Sequence, residues 1–341
     1  MSQAATRRRI GRTALDVSQL GFGTAPFGQL FADVPDAATR EAVDVACASG
    51  ISYFDTAPFY GHGLSEHRLG EALRGRPRDS FVLSTKVGRL LRPHRDAGRS
   101  PGPFATTLPF DLEYDYSYDG AMRSIEDSCQ RLGMARIDVV FIHDVTVKWR
   151  GERFEQSYSQ SVDGAFKALA GLRAAGTIGA IGVGINDVDT LIRYATDADF
   201  DCFMLAGRYT LLDTTALDRL LPLCMAKQIS ILLAAPYNSG ILATGAVPGA
   251  KYWYADAPQD ILERVRRIEA VCARHGTTLQ AAATQFPLAH PAVASVAAGY
   301  RSPAEVRAAL AACDVPIPPE FWRELRAGDL VDPNSPLPGN A

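Results

Sequence analysis

Four residues whose chemistry is costly to bury punctuate the first half of the chain. Lys86 closes the apolar run FVLSTKV, where a neutral residue would be cheaper to enclose. Asp55 ends SYFDTA on the preceding run, Tyr60 follows in APFYGHG, and His143 ends VVFIH just before Asp144. If these runs are neighbouring parallel strands, about 4.8 Å apart, an ion pair between Asp55 and Lys86 is geometrically natural. A cation within a few ångströms of Tyr60 stabilises its phenolate and lowers its pKa from about 10 toward working pH. A phenol tuned in this way suits general acid/base catalysis. Taken singly, each residue has a plainer explanation: a snorkelling lysine, a capping aspartate, one of 12 tyrosines, a satisfied histidine. Their recurrence at successive strand ends, where they can converge on one point, carries the argument.

The elements that must position them are written in the alternation of apolar runs. Eight strand candidates, at 20–25, 51–57, 81–87, 137–143, 178–184, 201–207, 229–235 and 292–299, read as continuous apolar stretches, as strands covered on both faces require. Amphipathic helical patterns lie between them, several ending in Gly at the expected C-cap position. Sustained αβ alternation implies a parallel sheet. The first strand is followed by TAPFGQLF rather than by a Gly-rich dinucleotide turn, and GVGIN (182–186) lacks the third Gly. The expectation is therefore an α/β fold: a single (β/α)8 TIM barrel over 1–341, with the polar strand ends on its catalytic face. Such a barrel takes about 250 residues, so about 91 of the 341 remain to be placed. They fall in enlarged βα loops at 92–118, 145–160 and 236–258 and in a C-terminal tail at 312–341.

Composition removes other classes. The chain is 47% hydrophobic and 21% charged, which is ordinary for a globular protein. A net charge of −3 offers no basic footprint for nucleic acid. No stretch reaches the 18 to 20 apolar residues of a membrane span, and the N-terminus lacks the apolar core of a signal peptide. Arg7, Arg8 and Arg9 read as a solvated strand start. The six cysteines form no C-x-x-C pair and sit mostly in apolar segments, which points to a reduced, cytoplasmic setting. His62 and His67 have no metal-binding pattern around them, so no metal is expected. Nothing in the chain reports an oligomeric state.

The motifs FDTAPFYG, STKVG and FIHD together resemble the aldo-keto reductase superfamily, barrel oxidoreductases that use NAD(P). The resemblance runs from GRTALDVSQLGFGTAPFG to GYRSPAEVRAAL. It implies a catalytic tetrad of Asp55, Tyr60, Lys86 and His143, with Tyr60 as general acid/base, Lys86 lowering its pKa, Asp55 holding Lys86, and His143 orienting the substrate oxygen. It also implies a cofactor site of Asp55, Asn186, Tyr209, Gly299, Arg301 and Glu305. In it Asn186 holds the nicotinamide carboxamide, Tyr209 stacks on the ring, and the segment AGYRSPAEV grips the adenosine side. Two positions depart from the family pattern: Ala206 stands where Gln is frequent, and Ala309 where Asn is frequent.

RYTLL, YNSGILATG and LRAAGTIGAIGVGIN further resemble the branch that oxidises cyclic sugars and related hemiacetals, with D-threo-aldose (L-fucose, L-galactose) 1-dehydrogenases and pyridoxal 4-dehydrogenase among them. The expected reaction is oxidation of the hemiacetal carbon of a cyclic aldose to a lactone. The alternatives are formation of 4-pyridoxolactone from pyridoxal, a general aldehyde or ketone reductase, and a non-enzymatic cofactor-binding role, against which the intact tetrad argues. Arg301 can pair a 2′-phosphate but Glu305 would repel one, so of NAD and NADP the expectation is NAD. The loops offer both polar and aromatic specificity candidates: Arg92, His94, Arg95, Trp149, Arg150, Trp253 and Tyr254.

Overall fold

The computed structural model describes residues 2–95 and 102–340. Residues 96–101 of the 92–118 insertion, and the chain ends at 1 and 341, lie outside the described residues. Eight parallel strands close on themselves: β1 (Leu20–Gly23), β2 (Tyr53–Asp55), β3 (Val82–Val87), β4 (Val139–His143), β5 (Ala180–Ile185), β6 (Cys202–Ala206), β7 (Ser230–Ala234) and β8 (Val293–Gly299). Sequential strands pair throughout, and β8 returns to β1 with Val296 opposite Leu20. All eight coincide with the apolar runs of the sequence. The architecture is the expected (β/α)8 barrel.

Period-2 alternation divides each strand between two apolar environments. Tyr53, Val82, Val139, Phe141, Ala180, Cys202, Met204, Leu232, Ala294 and Ala297 pack together as the barrel interior. Their neighbours Phe54, Leu83, Val140, Ile142, Val183, Phe203 and Leu233 face the surrounding helices in the larger core. Both faces being apolar is why the runs show no polar alternation. Below the interior, an antiparallel hairpin of Arg7–Arg9 and Asp16–Ser18 inserts Ile10 and Val17. The strand start at Arg7–Arg9 is present, but Arg8 is not simply solvated: its guanidinium donates to the carbonyls of Val293 (2.6 Å) and Leu288 (2.9 Å).

The helices use the caps their sequences advertise. In Tyr118–Leu132, Ser117 accepts from the Gly120 amide at the start, and Gly133 closes the end at φ +65°. The surplus residues are more structured than loops. Arg89–Pro93 and Phe110–Tyr114 form a hairpin leaving β3. Residues 147–174 are almost continuously helical, with a π-helical stretch at Ser161–Phe166. A second hairpin pairs Lys251–Tyr252 with Ala255–Asp256 after β7. The tail instead carries a helix, Pro319–Ala327, whose Phe321, Trp322 and Leu325 are buried. It is tied by Arg267 and Arg274 to the outer helix Gln259–Arg274.

Candidate active site

Strand register assembles the polar cluster. Asp55 pairs with Ser84 on β3, and Lys86, two positions on, points to the same face. Lys86 pairs with Phe141 on β4, and two positions on again stands His143, opposite Gly184 of β5. Lys86 Nζ donates to Asp55 Oδ2 (2.6 Å) and to the Thr56 carbonyl (2.8 Å), while Asp55 Oδ1 accepts from Ser84 Oγ (2.7 Å). Burial works against the charge on both partners, raising the Asp55 pKa and lowering that of Lys86, and their contact offsets the penalty.

Tyr60 is seated by two glycines. Gly28 and Gly61 bring the 25–28 turn and the Tyr60 loop into backbone contact, and a Cβ on Gly28 would lie 2.4 Å from the Tyr60 carbonyl carbon. From there the Tyr60 ring centroid lies 4.9 Å from Lys86 Nζ and 6.1 Å from the His143 ring, which it meets edge-on. The structure thus brings Asp55, Tyr60, Lys86 and His143 together.

Their electrostatics differ from expectation in one respect. Burial pushes the Tyr60 phenol well above its usual range, Asp55 and Asp144 add to the rise, and the cation that opposes it is Arg89. Lys86 is already engaged by Asp55, so its charge is largely spent there. His143 is held well below the usual histidine range by burial, with Arg89 and Lys86 adding to the effect, so its imidazole is neutral.

Arg89 is the site residue the sequence concealed. It is one of 30 arginines, and only its place between the apolar pairs of KVGRLL marks it. It is 1% exposed, packs its guanidinium on Phe59 (4.1 Å), Trp149 (4.8 Å) and Tyr114 (5.3 Å), and pairs with Asp144 at 2.9 Å.

Tyr60, Lys86 and His143 open onto a cavity of about 270 Å³. Phe59, Phe104, Trp149 and Tyr254 give it an aromatic wall, and Asn186, Met204, Ala206 and Ala234 line its other side. Tyr254 stands at the tip of the 251–256 hairpin, 5.9 Å from Phe31 and 5.5 Å from Lys148 Nζ, so three βα segments meet over the cavity. Of the remaining loop candidates, Trp253 stacks under Arg208 (3.8 Å) and Arg150 over Tyr114 (4.0 Å). Arg92 pairs with Glu113, His94 lies 3.6 Å from Asp111, and Arg95 is exposed; none of these five lines the cavity.

The residues expected to hold a cofactor divide. Asn186 is on the cavity wall; its carbonyl accepts from Arg208, and no hydrogen bond ties its side-chain amide to the protein among the described residues. A free amide there fits a carboxamide. Gly299 and Arg301 are exposed where β8 ends, ahead of the helix Pro303–Asp314 capped by Ser302, and Arg301 is paired with Glu305 at 2.6 Å. Two positions do not fit. Asp55 has both carboxylate oxygens occupied, by Ser84 and Lys86, and is absent from the cavity wall. Tyr209 is fully enclosed against Phe286 (5.3 Å) and His290 (5.4 Å), leaving no face for a nicotinamide. His62 ties the hairpin to the Tyr60 loop through the Phe110 carbonyl (2.5 Å), and among the described residues no three potential ligands gather around a metal position.

A barrel with a Lys–Asp pair, a tyrosine and a histidine at one mouth is a fold with a function attached. The profile of the Aldo/keto reductase family matches residues 19–329. The chain belongs to this family. It is 42% identical to the pyridoxal 4-dehydrogenase of Microbacterium luteolum, over 96% of this chain and 99% of that protein. It is 38% identical to a D-threo-aldose 1-dehydrogenase of a Pseudomonas species, over 96% and 99%. Among solved structures it resembles an aldo-keto reductase of Bacillus halodurans in its holo form, with a TM-score of 0.74, 25% identity and 96% of each chain covered. This aldo/keto reductase is accordingly an NAD(P)-dependent oxidoreductase. Among the described residues no helix is long and apolar enough to cross a membrane.

Proposed function

We propose that this aldo/keto reductase oxidises the carbon of a ring hemiacetal to a lactone, and that the substrate is an aromatic hemiacetal of the pyridoxal class. The observation that carries the proposal is the cavity, where Tyr60 and His143 share a wall with Phe59, Phe104, Trp149 and Tyr254. A flat aromatic ring is held by such faces, whereas a polyol needs several hydrogen-bonding side chains. This moves the preferred substrate away from the cyclic aldose expected from sequence. Similarity to pyridoxal 4-dehydrogenase supports the same choice.

In this reading Tyr60 takes the hydroxyl proton of the hemiacetal, and the neutral His143 donates a hydrogen bond to the same oxygen. Lys86, held by Asp55, lies against the Tyr60 ring. The oxidised cofactor, when bound, supplies the hydride acceptor and a positive charge that favours the Tyr60 phenolate. Asn186 would hold its carboxamide, and Gly299, Arg301 and Glu305 its adenosine end. NAD is the fitting form, because Glu305 already neutralises Arg301 and its carboxylate would repel a 2′-phosphate held by that arginine. The protein would work in the cytoplasm on small molecules, without a nucleic-acid or membrane partner.

A cyclic aldose is the second reading. Lys148, Asn186 and Asp144 bring hydrogen-bonding groups to the same cavity, and the D-threo-aldose 1-dehydrogenase is nearly as similar. Initial rates at 340 nm with pyridoxal, L-fucose, D-arabinose and L-galactose, each with NAD⁺ and NADP⁺, decide between them. The proposal expects pyridoxal with NAD⁺ to give the highest kcat/KM. Turnover confined to the sugars would overturn it in favour of the aldose reading.

A further inference from the structure

We infer that Arg89 is a positioning residue that fixes the catalytic histidine His143 as its neutral tautomer with the proton on Nε2. The inference rests on the proposed role of His143 as the hydrogen-bond donor to the substrate oxygen. It adds the device that makes it a donor at the right atom.

One contact fixes which ring nitrogen carries the proton. Arg89 Nη1 lies 3.4 Å from His143 Nδ1. A guanidinium has five N–H donors and no acceptor, so the nitrogen facing it must offer a lone pair. At the other end, Asp144 Oδ2 lies 3.5 Å from His143 Nε2. At that distance the carboxylate is a nearby charge and not a hydrogen-bond partner, which leaves the Nε2 hydrogen for the substrate oxygen. The same Asp144 oxygen is 2.9 Å from Arg89 Nη2, so the anion anchors the cation that faces Nδ1.

The cation cannot swing away. Arg89 is 1% exposed, and Phe59, Trp149 and Tyr114 pack on its guanidinium. Gly88, at φ +104°, turns the chain out of β3 immediately before it, and a Cβ there would lie 2.1 Å from the Tyr116 ring. The Tyr116 hydroxyl in turn donates to the His143 carbonyl at 2.9 Å, fixing the backbone of the residue that Arg89 orients. The turn, the cation and the histidine therefore move as one unit.

The arrangement also disfavours the imidazolium. The charged or titratable groups around His143 are Lys86 from β3, Arg89 from the hairpin, Tyr60 from the loop after β2, Tyr116 ahead of the helix Tyr118–Leu132, and Asp144 beside it. Both cations oppose a proton on the ring, and burial reinforces them. Among the described residues the carboxylate nearest the ring, Asp144, is already paired with Arg89. The role is distinct from that of Lys86, whose charge is held by Asp55.

The test uses the full chain labelled with ¹⁵N in its histidine rings, free of substrate, with the His143 signals assigned by their loss in His143→Gln. The expected spectrum has an unprotonated Nδ1 and a protonated Nε2, unchanged between about pH 5 and pH 8, the range in which an ordinary histidine titrates. In Arg89→Met the Nδ1–H tautomer or the imidazolium should appear within that range. There kcat should fall between about tenfold and a hundredfold, the scale of one charge-assisted hydrogen bond, with KM nearly unchanged. Arg89→Lys should restore part of both. An Nδ1–H tautomer in the unsubstituted protein overturns the inference, as does an Arg89→Met protein with an unaltered His143 spectrum. If Arg89→Met does not fold, Asp144→Asn carries the spectroscopic test instead, by removing the carboxylate that anchors Arg89. Because these spectra need no turnover, the inference fails separately from the substrate assignment.

Discussion

Lys86 Nζ meets Asp55 Oδ2 at 2.6 Å inside the barrel mouth, with both side chains less than 5% exposed. Asp55 is the foremost of the groups that offset the cost of burying this ammonium, which sits directly against the ring of Tyr60. Removing either partner strands the other. Asp55→Asn or Lys86→Met alone should cost about 3–5 kcal/mol of stability in urea unfolding, whereas the double variant should cost clearly less than the sum. Additive losses would show that the two side chains are not coupled.

Tyr60→Phe removes one oxygen and leaves the ring seated between Gly28, Lys86 and His143. Dehydrogenase turnover should fall between about 10² and 10⁴-fold, the scale of a lost general acid/base. Thermal stability and cofactor affinity, read by fluorescence titration, should stay close to those of the parent. Turnover within a few-fold of the parent would remove Tyr60 from its role.

The aromatic wall makes a separate prediction. Tyr254 occupies a left-handed position at φ +65°, so Tyr254→Asn deletes the ring while suiting the turn. For pyridoxal, KM should rise about tenfold, since a ring–ring contact contributes about 0.5–1.5 kcal/mol beyond its buried area. The KM for L-fucose should change less. Equal effects on both substrates would argue that the hairpin tip acts only as a cover.

Stability should depend on acid through the buried histidines. His143 is held well below its usual range and His290 is lowered to about 4, both by burial first. Each is neutral in the folded protein and protonated in the unfolded chain once the pH drops below about 6.5. The unfolded state then binds more protons, so stability is complete above about pH 6.5 and is lost as pH falls toward the folded values. The slope is about 1.4 kcal/mol per pH unit for each histidine. Urea midpoints from pH 7 to pH 4.5 measure this, and His290→Gln should flatten the curve. A midpoint independent of pH in that range would contradict both assignments.

Much of the molecule was legible in one dimension because parallel strands covered on both faces leave a continuous apolar signature. All eight strands lie inside their apolar runs to within a residue, and of the polar residues at their ends Lys86 and His143 face the open mouth while Asp55 holds Lys86. The insertions were legible as surplus length but not as structure. The short strands of the 89–114 and 251–256 hairpins carry no distinctive period, and their pairing is decided across a turn rather than along a run.

Tyr209 and Arg89 mark the other limit. The RYTLL motif predicts an aromatic ring at the site, but motif position does not say which way a side chain faces, and packing with Phe286 and His290 turns it into the core. Arg89 looks like any surface arginine in a chain that has 30 of them. The sequence by itself determined the barrel, the order of its strands, the three polar residues at their ends and the tyrosine just beyond one of them, since hydrophobic period and local chemistry are properties of neighbours along the chain. Only the tertiary structure decided which cation reaches His143 and which rings line the cavity. Those depend on contacts between segments far apart in the sequence, such as Arg89 with His143, where geometry rather than residue type selects the partner.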